Sequence, residues 1–390
     1  MLCERDRYKG IETPHMSRNM ELVPVCEGNV RILVSKTDTS LHFPPGSGPV
    51  FYNPRMVFNR DMTVLMTKVV HPASYLDAMG ASGIRGFRIA GECSVPVTIN
   101  DHNPIAIDLI RQNRSTATGE VEVTCRDANA LMQERHFAAV DLDPFGSPVP
   151  FLDAGVTSAL RYLFVTATDT APLCGAHKKA GIRRYSANPV NTEYHTEVGL
   201  RILLGCVART AARYDRGIDP LFCFCREHFV RLHLSMTDGA KRADKSLSHL
   251  GFVHHCHHCM YREEENSLFP SSKVCPHCNI SLEPIGPLWM GSINNLSTLE
   301  EIRNMIGTSS VSSVTRTERL LSLLQQELPT SSFYDYHHLA RRIRVSPAPI
   351  EHVIAKLEKN GYAASRVHYT GTGIKTDAPL TEVLQNLTDQ

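Results

Sequence analysis

Between residues 74 and 143 four short apolar runs recur, and each empties into an acidic loop. They are Ser74-Tyr75-Leu76-Asp77, Val95-Pro96-Val97-Thr98-Ile99-Asn100-Asp101, Val121-Glu122-Val123-Thr124-Cys125 ahead of Arg126-Asp127-Ala128-Asn129, and Phe137-Ala138-Ala139-Val140 ahead of Asp141-Leu142-Asp143. Runs of this length read as buried strands, and helix-spaced apolar positions follow each one. The alternation predicts a parallel, doubly wound α/β sheet, whose ligands bind beyond the carboxyl ends of its strands. A long helix is expected over about 193–214. Strands at 220–225 and 229–234 are expected to close the same sheet. Helical spacing returns at 316–328, 336–343 and 349–358, where Asn360-Gly361 stops it. An extended glycine-rich tail at 367–375 completes a winged-helix-like pattern.

The turn after the first strand, Ala78-Met79-Gly80-Ala81-Ser82-Gly83-Ile84-Arg85-Gly86, is built from small residues. Its glycines let backbone approach a ligand, and the helix that follows favours negative charge at its start. Asp101 stands about 20 residues further on, the usual offset for a carboxylate that grips a ribose. The Gly-x-Gly-x-x-Gly turn of dinucleotide-binding proteins is absent, which favours S-adenosylmethionine over a nicotinamide dinucleotide. On this reading Asp101 takes the ribose hydroxyls, Asp127 accepts from the adenine amine, and the backbone of Ala128 meets the ring edge. The loop from Asp77 through Gly80 to Gly83 holds the methionine end, with Asp77 near the ammonium.

The fourth strand runs into Asp141-Leu142-Asp143-Pro144-Phe145-Gly146-Ser147-Pro148. Asp143 can accept from an exocyclic amine, Pro144 fixes the turn, and Phe145 can stack on a flat base. An ordinary Asp-Pro turn before a core phenylalanine is the competing reading, and the upstream strands favour the first. Phe51-Tyr52-Asn53-Pro54-Arg55, followed by Arg60, is a candidate lid that stacks on adenine or on a target base. A hydrophobic turn with solvated arginines is its alternative.

At this point the chain resembles the archaeal and eukaryotic tRNA guanine-N2 dimethyltransferases, which act at tRNA position 26. Shared segments include Val25-Cys26-Glu27-Gly28, Phe51-Tyr52-Asn53-Pro54, Asn59-Arg60-Asp61, Ser82-Gly83-Ile84-Arg85-Gly86, Asp127-Ala128-Asn129 and Asp143-Pro144-Phe145-Gly146-Ser147-Pro148. Others are the stretch 165–175, His195-Thr196-Glu197-Val198-Gly199-Leu200-Arg201 and Gly286-Pro287-Leu288-Trp289-Met290-Gly291. The resemblance implies that Arg60, Arg85, Asp101, Asp127 and Ala128 bind the methyl donor. It also implies that Asp143 is the catalytic acid group, and that Phe51 and Phe145 are the stacking aromatics. A methyltransferase with another tRNA or rRNA target, or a non-catalytic RNA-binding protein that keeps the cofactor fold, stays open.

Composition adds the partners. A net charge of +1 does not advertise a nucleic-acid binder. Between Lys178 and Lys245, however, thirteen Lys and Arg stand against seven Asp and Glu, an excess of six. Lys178, Lys179, Arg183 and Arg184 are candidate tRNA-phosphate contacts, as are Arg341, Arg342 and Arg344 in the C-terminal helices. A solvated face or a packing module is the plainer alternative. Of the twelve cysteines, four form Cys256-His257-His258-Cys259 and Cys275-Pro276-His277-Cys278, the spacing of a structural four-thiolate zinc site. One of the crowded histidines is an alternative ligand. The scattered remainder suits a reducing, cytoplasmic compartment. Residues 1–7 have no signal-peptide core, and no apolar run reaches the roughly 18 residues of a membrane span. The expected division is a methyltransferase domain at 1–245, a zinc module at 246–290 and a tRNA-binding winged-helix-like domain at 291–390, acting as a monomer.

Overall fold

The computed structural model describes residues 21–36, 49–115 and 117–388; residues 1–7, read above for a signal peptide, lie outside them. The chain divides into two compact units. One comprises Met1–Pro144, Pro150–Val165 and Glu300–Thr317, and the other Phe145–Val149, Thr166–Leu299 and Glu318–Gln390.

The first unit opens with an antiparallel hairpin, β1 (Leu22–Glu27) and β2 (Val30–Ser35), and a largely buried helix α1 (Val57–Val70). Then follow β3 (Tyr75–Asp77), α2 (Ile84–Cys93), β4 (Val97–Asp101), α3 (Pro104–Arg114), β5 (Val121–Cys125), α4 (Ala128–Glu134), β6 (Phe137–Leu142), α5 (Val149–Ser158) and β7 (Ala159–Ala167). The strands lie in the order β5-β4-β3-β6-β7, and all four pairings are parallel. This is the expected doubly wound, Rossmann-like sheet. The chain winds outward from β3 to β5, then returns to lay β6 on the other side of β3. The crevice between β3 and β6 is thus the topological switch point, where such sheets bind ligands. Register puts Asp77 level with Asp141, so two strand-end acids lie side by side there. Tyr75, Leu76, Ile99, Ala139, Val140 and Leu142 are fully or almost fully buried. That burial on both faces explains runs that do not alternate.

The second unit begins with α6 (Thr170–Leu173), α7 (Lys178–Tyr185) and α8 (His195–Ala212), the last being the long helix expected near 193–214. The two strands that follow run further than their apolar runs, as β8 (Arg216–Arg226) and β9 (Phe229–Asp238), an antiparallel ribbon. Its register slips between Pro220 and Phe222, where proline offers no N–H to the ladder. After α9 (Ala240–Leu247), β10 (Leu250–His255) pairs with both β11 (Arg262–Glu265) and β12 (Glu283–Trp289).

Two helices straddle the division, α10 (Leu296–Met305) and α11 (Val314–Gln326). Beyond them come β13 (Tyr334–Asp335), α12 (Tyr336–Ile343), α13 (Ile350–Lys359), β14 (Ala364–Arg366), β15 (Gly373–Thr376) and α14 (Leu380–Gln385). The order helix, strand, two helices, two strands is that of a winged helix, with β15 central in its sheet. Leu339, Val353, Leu357, Ile374, Val383 and Leu387 form its core. Buried charges fasten this module within its unit. Lys375 lies 2.7 Å from Glu197 of α8 and 2.8 Å from Glu327, and Glu327 also takes His368 at 2.7 Å. Removing one partner of such a set strands the others without water, a loss of about 3–5 kcal/mol. No helix among the described residues is long and apolar enough to cross a membrane.

Candidate active site and thiol cluster

The loop between β3 and α2 is shaped by what it rests on. Gly80 donates its N–H to the Asn100 carbonyl at 2.7 Å, and a Cβ at Gly80 would stand 2.4 Å from Ile99. The loop therefore lies flat on the end of β4. Gly83, at φ +80°, turns the chain into α2 in a conformation that favours glycine. Asn100 ties the neighbouring loops together. Its amide donates to the carbonyls of Ala78 and Arg126, both at 3.1 Å, and its oxygen accepts from Thr124 at 2.9 Å.

Three predicted donor acids sit around this loop. Asp77 is buried and accepts the Gly86 N–H at 3.0 Å. Its pKa is pushed up to about 7, chiefly by burial and further by the charges of Asp141 and Asp143, against the pull of Arg85. Asp101 accepts from the N–H of Ala81 at 2.9 Å and of Asn103 at 2.8 Å. Asp127 caps α4 through the Ala130 N–H at 2.9 Å, and Ala128 is the buried first residue of that helix.

Arg85 joins the donor loop to the fourth acid. One of its terminal nitrogens donates to Asp143; the other reaches Thr63 at 2.9 Å, Asn59 at 3.2 Å and Asp141 at 3.4 Å. Tyr75 donates its hydroxyl to Asp141. Burial opposes the charge on Arg85, but Asp141 and Asp143 outweigh it and raise its pKa above the ordinary arginine value. Asp143 itself keeps 21% of its side chain exposed, while Asp141 keeps none. A partly exposed acid is thus held by a buried cation.

Arg60 is engaged within its own unit. Its guanidinium grips Glu27 of β1 at 2.7 and 2.5 Å and the Asn53 carbonyl at 3.0 Å. Tyr52 donates to the same carboxylate at 2.8 Å. Burial works to raise the Glu27 pKa, but the Arg60 charge and these hydrogen bonds hold it below the usual carboxylate value. Arg60 therefore braces the segment that carries Phe51, which is 36% exposed.

These residues fit a methyl donor with an adenosine and an amino-acid end. The cradle is bare backbone, ringed by carboxylates with lone pairs to spare. Beside Arg85 the Asn59 amide nitrogen is buried without a hydrogen-bond partner.

The sequence profile of the N2,N2-dimethylguanosine tRNA methyltransferases matches residues 28–388. The chain belongs to that family. It is 55% identical over 371 residues to a tRNA (guanine(26)-N(2))-dimethyltransferase of Methanosphaerula palustris, covering 95% of this chain and all of the relative. The same enzyme of Methanoculleus marisnigri is 56% identical over 361 residues, covering 93% and 97%. Among solved structures, the complex of Trm1 from Pyrococcus horikoshii with S-adenosyl-L-methionine superposes with a TM-score of 0.85 at 36% identity. That alignment covers 94% of this chain and all of the other.

The family signature continues past Asp143-Pro144 into the second unit. Phe145 there is 73% exposed, and Gly146 has φ +93°. The four cysteines of this dimethyltransferase gather as expected, their sulfurs all within 4.8 Å of one another. Two matching knuckles present them. Cys256 N–H meets the Tyr261 carbonyl and Cys275 N–H the Ile280 carbonyl, each at 2.8 Å; Met260 and Asn279 adopt left-handed turns. A zinc ion with sulfurs at about 2.3 Å needs them roughly 3.8 Å apart, so the donor set suits one closed structural ion. His258 lies 3.2 Å from the Cys278 sulfur rather than replacing a thiol. His257 turns away to Glu283 at 2.5 Å.

The predicted RNA contacts divide into two kinds. Lys178 pairs with Glu283 at 2.5 Å and Arg184 with Asp169 at 2.9 Å. Lys179 and Arg183 are exposed on the same helix, α7. Arg341, Arg342 and Arg344 are exposed along α12 and its C-cap, beside exposed His337 and His338.

Sequence reasoning passed over Tyr75, Asn59, Thr63, Asn100 and Asp141. Asp141 stood in the quoted signature, and Asn59 in a quoted segment; the signal was present without its partner. A cavity of about 340 Å³ lined by Ala90, Ser94, Thr118 and Glu120 opens at the amino ends of the strands, away from these acids.

Proposed function

We propose a division of labour among these residues for the family's reaction, two successive methyl transfers to the N2 amine of guanine 26 in tRNA. The chain is an S-adenosylmethionine-dependent tRNA guanine-N2 methyltransferase. S-adenosylmethionine, when bound, supplies a methyl on a sulfonium. Asp77, Gly80, Gly83 and Arg85 hold its amino-acid end, Asp101 its ribose, and Asp127 with Ala128 its adenine. Arg60 acts from behind, through Glu27 and the Phe51 segment.

Asp143 does the work on the base. The guanine N2 lone pair is delocalised into the ring, so the amine is a weak nucleophile. A carboxylate that accepts one N–H keeps electron density on nitrogen and receives the proton that leaves at or after transfer. Pro144 fixes the acid's direction, and Phe145 stacks on the base turned out of the tRNA. Dimethylation requires the same pocket to accept the monomethylated amine again. The Arg85–Asp143 ion pair carries this reading, because it ties the donor loop to the acid at the end of β6.

Lys179 and Arg183 of α7 and the arginines of α12 grip the tRNA backbone. The domain boundaries at 245 and 290, a monomeric enzyme and a cytoplasmic site of action complete the proposal. Incubation with unmodified tRNA and the methyl donor, then nucleoside mass spectrometry, tests it. The wild type should yield N2,N2-dimethylguanosine at position 26, and Asp143→Asn should form it on the order of thirty- to a thousandfold more slowly. Methylation of any other base would overturn the substrate assignment.

A further inference from the structure

The second half of the signature loop, residues 145–149, has an unusual balance. At its tip nothing lies within 4 Å of where a Gly146 Cβ would stand, and Phe145 is largely exposed. At its base the polar groups are engaged by residues of the same unit. The Gly146 N–H donates to the Thr168 hydroxyl at 2.8 Å, and the Thr168 N–H returns a bond to the Gly146 carbonyl at 3.0 Å. Next along, the Ser147 hydroxyl meets the Tyr185 hydroxyl at 3.0 Å, and Tyr185 donates to Asp169 at 2.5 Å. A phenol has one proton, and Asp169 takes it. Ser147 must therefore be the donor to the Tyr185 oxygen. The other Asp169 oxygen accepts from Arg184 at 2.9 Å. Tyr185 is 1% exposed, and burial together with the Asp169 charge keeps its hydroxyl protonated well above the ordinary range.

We propose that Tyr185 and Asp169 are positioning residues for Phe145, acting through the hydroxyl of Ser147. This rests on the reading of Phe145 as the ring that stacks on the target base. An exposed ring on an unanchored loop would have to be ordered each time a base arrived, which would weaken the stacked state. Here the chain Asp169, Tyr185, Ser147 fixes the loop one residue past the left-handed glycine. The ring is then presented while its surroundings stay open to a nucleobase. Tyr185 ends α7, so the basic helix and the loop share one hydrogen-bonded chain.

The test uses the full-length enzyme with unmodified tRNA and five variants: Tyr185→Phe, Ser147→Ala, the double variant, and Phe145→Ala alone and combined with Tyr185→Phe. Tyr185→Phe removes one oxygen and leaves the ring in its pocket. Each of the first two should lower kcat/KM for tRNA on the order of ten- to a hundredfold, as misplacing a reacting group by about 1 Å does. The double variant should be no worse than the poorer single one, because both break the same link. Donor affinity should stay within about twofold, which reports an intact fold. In the Phe145→Ala background, Tyr185→Phe should have no further effect. A full additional loss in that background, additive singles, or singles that lower Tm with kcat/KM unchanged would each overturn the proposal. If Phe145→Ala alone left turnover unchanged, the stacking assignment itself would fall, and with it this inference. Normal singles beside an inactive Phe145→Ala would reject the inference and spare that assignment.

Discussion

Arg85 and Asp143 form one ion pair across the switch point, so the acid assigned to the base is held by a residue assigned to the methyl donor. Sequence reasoning treated the two as separate, the acid facing the base alone. Their pairing changes the expected phenotype. Asp143→Asn should slow transfer by about 2–4 kcal/mol, the usual value of one charge-assisted contact to a reacting group. Donor affinity should also shift, by less than about tenfold, because Arg85 keeps Asp141, Thr63 and Asn59. Single-turnover kinetics beside calorimetry separates the two effects. Near-normal turnover would remove Asp143 from the chemistry.

Asp77 should make donor binding pH-dependent. Its folded-state pKa of about 7 lies above the unfolded value near 4. The folded chain thus holds a proton that the unfolded chain has released. That contribution to stability is fully present below about pH 4 and is lost as pH rises through 7. Gripping the donor's ammonium requires the carboxylate, so affinity should rise between about pH 5.5 and 7, approaching tenfold per unit. Asp77→Asn should flatten the profile. A flat wild-type profile would mean that Asp77 does not meet the ammonium.

Asp127 has two jobs that substitution can part. It caps α4, and removing an N-cap costs about 0.5–2 kcal/mol. Asp127→Asn should preserve the cap and the melting temperature, yet weaken donor binding by roughly 1–3 kcal/mol through the lost acceptor. Asp127→Ala should lose both. Unchanged donor affinity in the Asn variant would leave capping as its one role.

What the sequence disclosed follows from range. Asp77, Asp101, Asp127 and Asp143 were legible because each ends or follows a local apolar run, and a parallel sheet brings run ends together. Arg85 could be named, but not its function as a hub, since Asn59, Thr63 and Asp141 meet it only after folding. Arg60 could likewise be named from its segment, but its pairing with Glu27, 33 residues away, forms only on folding. The pairing of β10 with β12 was hidden for a related reason, because the two cysteine knuckles lie between them.

Removing the metal should act on those knuckles and, through them, on α7. Thiolate–zinc binding contributes roughly 10 kcal/mol or more to such small modules. Cys256→Ser with Cys275→Ser, or a strong chelator, should unfold residues 256–282. The strands β10 and β12 should persist, because Phe252, Val253, Ile285, Leu288 and Trp289 are buried. His257 and Lys178 share Glu283, so unfolding the first knuckle takes away one of the partners that hold this carboxylate beside α7. Affinity for tRNA should therefore fall while donor affinity holds. Hydrogen exchange would map the loosened segment. Zinc-free protein with protected knuckles would refute the structural role.

Salt dependence should tell which basic residues meet the tRNA. Each phosphate contact that releases a counterion steepens the plot of log K against log salt by about 0.7–0.9. Lys178 and Arg184 already have carboxylate partners, so their neutralisation by tRNA releases less counterion than their charge suggests. Lys179 and Arg183 should carry the effect on α7, and reversing both should flatten the slope by about one to two units. Reversing Lys178 and Arg184 should change the slope less, although losing Arg184 leaves Asp169 with one partner fewer and can lower turnover. Reversing Arg341, Arg342 and Arg344 should flatten the slope by about two to three units if the exposed face of α12 lies along the tRNA. That face presents three arginines and two histidines, whereas exposed Glu351 and Glu358 interrupt the basic residues of α13. The winged helix should thus meet RNA through its second helix rather than the third. A slope changed by the α7 pair but not by the α12 triple would confine the tRNA to α7, and a slope changed by neither would move its path off both surfaces.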